Sequence, residues 1–409
     1  MDGGAYIIGG TGKISGGTAQ TKTGKGTRSI ANTGGNDDAG ATSVSLGRLN
    51  LTGSLTSAVT VASGATMAGT GSTTDLLTVN GNLALAGGAM TTSLTSNGAT
   101  FGASTLSFDT APVAATVYDV VTYAGGALTT PGNLVAAAHG TFADTGTKYT
   151  FTADGPATRT WNTTTGTWAS GTPLNFAEGD QKFFDFDTVL FNEPAALSTV
   201  TLSGTLTPAS VTVSNTTNPY TFSGAGAIAG SGGLTKSGAG TLTVSTANTF
   251  TGNVAISGGN VNADGTANNT NPTATSLGNM TTVGKTITVN SGGTLTFTSS
   301  DGFGAYNYKT PVMLIADGGT ITRIASTTTF NSIGDVTLMN GGRLTTTNGN
   351  AATVGSFGLN GNVTVSGTSG SFIDTLAGQT TNSFINLGNN VTVSTTTFTV
   401  AATGDPLRI

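Results

Sequence analysis

A three-residue phrase, apolar, small, apolar, closed by Gly, Asn or Ser, recurs along nearly the whole chain. It is read in Leu49-Asn-Leu51, Val59-Thr-Val61, Leu77-Thr-Val79, Leu83-Ala-Leu85, Val211-Thr-Val213 and Leu242-Thr-Val244. It returns in Val254-Ala-Ile256, Ile287-Thr-Val289, Leu295-Thr-Phe297, Val363-Thr-Val365 and Val391-Thr-Val393. Successive side chains of a strand point to opposite faces, so each phrase places two apolar groups on one face. Strands this short need stacked neighbours carrying the same pattern. Helical periodicity is nearly absent.

Many short strands punctuated by turns fit either closed antiparallel sandwiches or barrels, or a parallel solenoid. The solenoid is favoured because the strands continue with few changes of texture and their corners repeat. Val61-Ala-Ser-Gly-Ala-Thr66, Ile256-Ser-Gly-Gly-Asn260 and Val289-Asn-Ser-Gly-Gly-Thr294 are such corners. Gly, Asn and Ser turn the backbone sharply at little steric cost. The predicted fold is all-β: a right-handed parallel β-helix (β-solenoid) with a small aromatic-rich loop or hairpin insertion.

Composition supports this reading. Of 409 residues 63 are Gly, and only 8% are charged, against about 25% in an ordinary domain. Thr, Ser and Asn take the place of surface charge; stacked on like residues they form neutral ladders, whereas stacked charges repel. The net charge of -5, with 14 scattered Lys and Arg, lacks the basic stripe of a nucleic-acid binder. With no Cys there is neither a disulfide framework nor a thiolate metal site. No apolar run reaches the length of a membrane-spanning helix. The first ten residues lack the basic start and apolar run of a signal peptide, so either a signal has been removed or the chain is a segment of a longer protein, and the segment is the favoured reading.

Texture divides the chain into a Gly/Thr-rich lead-in or ragged first coil (1–40), a first solenoid part (41–158), an aromatic and acidic insertion (159–193) and a second solenoid part (194–409). Within the first part, 107–157 holds longer apolar strands that suggest wider sheet pieces or a laterally packed hairpin. The insertion carries Trp161 and Trp168 with Phe176, Phe183, Phe184, Phe186 and Phe191, beside Glu178, Asp180, Asp185, Asp187 and Glu193.

Residues 230–261 carry the most specific signal. Gly230-Ser-Gly-Gly-Leu-Thr-Lys-Ser-Gly-Ala-Gly-Thr-Leu-Thr-Val244 is followed by Asn248-Thr-Phe-Thr-Gly252 and Val254-Ala-Ile-Ser-Gly-Gly-Asn-Val261. This stretch resembles the autotransporter-associated β-strand repeat of bacterial surface proteins. Phe250 stands where Tyr is usual there, and Asn253 where a second Gly is common. The resemblance implies a solenoid exported to the outer surface of a Gram-negative-type bacterium. Its fold-defining positions would be Gly233, Leu234, Lys236, Gly238, Gly240, Leu242, Val244, Phe250, Ile256, Gly258 and Gly259. Leu234, Leu242, Val244, Val254 and Ile256 are expected to point inward, the glycines to make corners and Lys236 to point outward.

Candidate chemistry is sparse. Asp37-Asp38, His139-Gly140 and Arg323 faintly echo the acid pair, His-Gly and Arg of pectin-type hydrolases, but lie far apart in the chain. A lone His beside small residues is more often an edge residue than a ligand. Asp180, Asp185, Asp187 and Glu193 could offer oxygen to a loop calcium, yet they lack the nonapeptide of calcium β-rolls and the EF-hand loop; solvated loop charge is the commoner reading. Trp161 and Trp168 could form an exposed carbohydrate-stacking platform, against a bracing role in the core. The Gly-rich runs lack the Gly-Lys-Ser/Thr of a phosphate loop.

The expected function is therefore a non-catalytic structural or adhesive element of a secreted or cell-surface protein: a rod-like passenger, a spacer or an extracellular fibre subunit. End-to-end self-association, surface glycans and neighbouring cells are its expected partners; nucleic acid is not, and no metal or organic cofactor is implied. The alternative is a carbohydrate-binding or carbohydrate-cleaving β-helix.

Overall fold

The computed structural model describes all residues except 1–3, 90–93, 124, 194–195, 197, 266–271, 300–301, 304–308, 326–328, 349–354, 376–382, 388–397, 401–406 and 409. The Val391-Thr-Val393 phrase lies outside the described residues. The chain forms two units, Met1–Pro156 and Ala157–Ile409, each a stack of parallel coils with its own sheets.

In the first unit the chain visits three faces in turn. One face is a seven-stranded sheet that begins with Tyr6–Ile8 and ends with Leu134–Ala136. Another runs in chain order from Gln20–Lys22 through Thr42–Val44, Val59–Val61, Leu76–Val79 and Gly98–Phe101 to Leu128–Thr129. Coil length varies: Met67 stacks on Leu83, but Leu106 stacks on Ala136. The variation is absorbed at the corners while the strands stay in register.

Residues 4–40 already build coils, because Tyr6–Ile8 pairs with Thr27–Ile30 and Gln20–Lys22 with Thr42–Val44. Alternation is hard to read there since Lys22 occupies an inward position. The hairpin of Gly140–Asp144 and Lys148–Ala153 pairs antiparallel with Val117–Tyr123. Its rings explain the longer apolar strands: Phe142 stacks on Tyr149 at 5.1 Å, and Phe151 lies 5.7 Å from Phe108.

The second unit has two ten-stranded parallel sheets, starting at Thr158–Thr160 and at Thr165–Trp168. The aromatic stretch 159–193 supplies the first coil and the start of the second: these two strands open the sheets, and a loop returns the chain to Thr188–Phe191, which stacks on Thr158–Thr160. Inward residues form columns. Val189, Val211, Leu234, Val254, Ile287, Leu314, Val336 and Val363 stack one upon the next, and all are buried. Burying one such side chain gains roughly 1.5–3 kcal/mol, so each coil adds its own slice of core and depends on its neighbours for cover.

Outward positions form the polar counterpart. In the first unit Thr21, Ser43, Thr60, Thr78, Thr100 and Thr129 are stacked through six successive strands. In the second, Thr165, Thr199, Thr221, Thr243 and Asn262 make an equivalent column, and the same register continues through Thr296, Thr322 and Thr345, which are buried. In phrases such as Val59-Thr-Val61 and Leu77-Thr-Val79 the central threonine is thus a rung of a neutral ladder.

Candidate functional site: buried lysine corners and a small corner cavity

Leu234, Leu242, Val244, Val254 and Ile256 are buried, as expected, and Phe250 packs beside them. Gly238 has φ +72°, and Gly259 has φ +66° with a notional Cβ only 2.2 Å from the Gly240 carbonyl oxygen. Gly233 opens the strand Gly233–Ser237, and Gly259 opens the strand to Ala263. Gly240 and Gly258 also lie against the backbone of a neighbouring coil.

Lys236 corrects the expectation of an outward side chain. It is fully buried and stands in an aliphatic column between Val213 and Ile256. Alternation dictates this, since Lys236 is two residues from Leu234 on the same strand. Its Nζ donates to the carbonyl oxygens of Ser237 and Gly238, the latter at 2.8 Å, and makes longer contacts to Gly258 at 3.4 Å and Asn215 at 3.5 Å. A buried ammonium is costly unless hydrogen-bonded; here it ties the corners of three successive coils. Burial pushes its pKa down to about 8, opposed by the Glu193 charge.

Two further lysines do the same. Lys22 is buried below Val44, and its Nζ donates to Gly24 O and, at 3.0 Å, to Leu46 O on the next coil. Lys285 donates to Phe250 O at 2.9 Å and Leu277 O at 2.7 Å, and burial pushes its pKa down to about 7. A signal for Lys22 was present in the sequence: Thr21-Lys-Thr-Gly-Lys-Gly-Thr27 repeats the pattern of Thr235-Lys-Ser-Gly-Ala-Gly-Thr241.

Trp168 is fully buried and Trp161 is 5% exposed. Trp161 meets Phe176 edge-on at 5.6 Å and Trp168 meets Phe183 edge-on at 5.3 Å. Both indoles brace the core of the first coil, so neither presents an open face to a sugar.

The acidic residues are committed individually. The Arg159 guanidinium reaches Asp180 at 2.9 Å and Asp187 at 3.6 Å. Asp187 also accepts from the N–H groups of Ala157 and Phe184, and Asp185 from that of Thr207. Glu193 accepts from the N–H groups of Thr216, Thr217 and Asn218, which hold its carboxyl below the usual carboxylate range. Among the described residues no group of three His, Cys, Asp or Glu is placed to hold a metal ion.

The other echoes of hydrolase chemistry are likewise separated. Asp37 forms an exposed ion pair with Lys13 at 2.6 Å, whereas Asp38 is buried and accepts from the Ser57 hydroxyl at 2.7 Å. His139 is buried in the first unit, and Arg323 is buried in a core column of the second, in register with Phe297 and Thr346.

One small cavity, of about 190 Å³, lies where the first three coils of the second unit turn the same corner. Trp161, Asn162 and Thr164 line it from the first coil, Asn192 and Glu193 from the second, and Tyr220 from the third. The Tyr220 hydroxyl donates to Asn192 O at 2.8 Å, which fixes that wall.

These features define a parallel β-solenoid with lysine-tied corners. Comparison with protein-family models, with curated proteins and with solved structures gives no match. The likeness of residues 230–261 to the autotransporter-associated repeat therefore rests on the residues themselves.

Proposed function

We infer that this chain is a structural or adhesive element of a bacterial surface protein, serving as a display rod, a spacer or a fibre subunit. The observation that carries this reading is the pairing of an inward aliphatic column through eight coils of the second unit with uncharged outward ladders, six strands long in the first unit and five in the second, a construction that can be extended coil by coil. The buried lysines support it, since their ammonium groups are spent on corner carbonyls and reinforce the stack. The resemblance of residues 230–261 supports an extracellular location. Open sheet edges at the ends of a stack invite pairing with another copy, which supports self-association.

Electron microscopy of the purified chain tests the reading. Rods, or filaments that lengthen with protein concentration, are expected; isolated round particles at every concentration would overturn it.

A carbohydrate-binding role is the second reading, and the corner cavity in the second unit is the observation that favours it.

A further inference from the structure

The corner cavity offers polar groups that the fold itself leaves unused. The side-chain amide of Asn162 and the hydroxyl of Thr164 have no hydrogen-bond partner among the described residues, and both residues are exposed. Asn192 Oδ1 accepts from the Ser214 hydroxyl at 3.1 Å, which leaves its Nδ2 as a donor toward solvent. Glu193 is held in place by the backbone N–H groups of Thr216, Thr217 and Asn218, which place two contacts on each of its carboxylate oxygens, so it serves as a fixed wall and the ligand-facing groups are the other three. Trp161 and Tyr220 supply rigid apolar edges to the same wall.

The chemistry of the ligand follows by elimination. No Lys, Arg or His lines the cavity, so an anion finds no counter-charge. One carboxylate is too few for a hard divalent cation, which takes about 6–8 oxygen ligands in the case of calcium. At about 190 Å³ the space is below the roughly 300–1,000 Å³ of pockets for drug-sized ligands. Amide and hydroxyl groups that both donate and accept, beside an apolar edge in so small a space, suit a neutral, hydroxyl-rich ring.

The geometry points to a binding site for a single neutral pyranose unit of a glycan, with Asn162, Thr164 and Asn192 meeting its hydroxyls and the Trp161 edge meeting its apolar side. This site differs from an open tryptophan platform, and it does not depend on whether the solenoid acts as rod, spacer or fibre.

The test is saturation-transfer NMR on the full chain with methyl glucoside, methyl mannoside, methyl galactoside and N-acetylglucosamine, each followed by titration. At least one sugar is expected to show saturable transfer, with affinity falling tenfold or more in Asn162→Ala and in Asn192→Ala while the urea midpoint stays put. Thr164→Val, which keeps the shape of the side chain, should weaken binding as well. Absence of transfer from all four sugars overturns the site, and so does binding that survives all three substitutions.

Discussion

The ammonium of Lys285 stands 4.1 Å from the centre of the Phe250 ring and donates to that residue's own carbonyl at 2.9 Å. One cation thus meets the face of an aromatic ring and the backbone that carries it, on a different coil. Cation–π attraction strengthens as water is removed, and Lys285 is 2% exposed. The contact fixes the corner Asn248–Gly252 against the strand Thr286–Asn290, with Gly278 pressed so close that a Cβ there would lie 2.6 Å from Nζ.

This burial sets a pH dependence. An unfolded lysine keeps its proton up to its ordinary value of 10.5, whereas burial lets folded Lys285 keep it only to about 7. Between those limits the unfolded chain binds the extra proton, so raising the pH favours the folded state. Lys236, pushed down to about 8, acts in the same direction. Urea midpoints should therefore rise from pH 7 toward pH 10, and Lys285→Met should flatten the slope. A midpoint that falls over this window would contradict the assignment.

Lys236→Met should destabilise the second unit, because methionine fills the column but leaves the carbonyl oxygens of Ser237, Gly238 and Gly258 without their donor. Leaving a buried acceptor unsatisfied costs about 1–3 kcal/mol. Equilibrium urea unfolding measures the loss, and a stability equal to that of the parent chain would show that the ammonium ties nothing.

Gly259 and Gly204 separate two costs of a side chain. Both have positive φ, +66° and +75°, but a Cβ at Gly259 strikes the Gly240 carbonyl whereas one at Gly204 meets open space. Gly204→Ala should lose only the left-handed backbone penalty, roughly 1–2 kcal/mol. Gly259→Ala should lose clearly more, since the neighbouring coil must move as well. Thermal unfolding of the two variants side by side gives the ordering.

The outward ladder is expected to reject charge. Thr60 and Thr78 are in register on adjacent strands, about 4.8 Å apart in the hydrogen-bonding direction. Two carboxylates at that spacing repel by about 1 kcal/mol in water. Thr60→Asp together with Thr78→Asp should be less stable than the sum of the single changes, and added salt should shrink the difference. Additive effects at low salt would remove this explanation for the 8% charged composition.

A fragment of residues 225–265 should show no cooperative unfolding by circular dichroism. Its Leu234 and Val254 are covered in the intact chain by Val211 on one side and Ile287 on the other, and the fragment lacks both. A cooperative transition would show that one coil needs no neighbours.

Much of this architecture was legible because valine and leucine alternate with threonine in phrases such as Val59-Thr-Val61, and period-two patterning survives without tertiary context. The lysines were harder to read, since a charged residue is normally placed in solvent. Lys236 could have been assigned from alternation with Leu234, but its stability inside depends on carbonyls contributed by other coils, which no local pattern reveals. The corner cavity was less visible still. Asn162, Asn192 and Tyr220 come together only through the lengths of successive coils, and those lengths are set by corners that tolerate variation.

The unequal coil lengths also carry a mechanical consequence. Hydrogen bonds between coils run along the stacking direction, so tension on one end of a unit loads the outermost coil first and detaches it before the next. Freeing the step from Met67 to Leu83 pays out about 55 Å of chain, and the step from Val254 to Ile287 about 110 Å, at roughly 3.3–3.6 Å per residue. Coils tied by Lys236 or Lys285 must break cationic contacts as well, so they yield at higher load than their neighbours. Stretched from its ends, such a unit lengthens in discrete, unequal increments and dissipates work at each one.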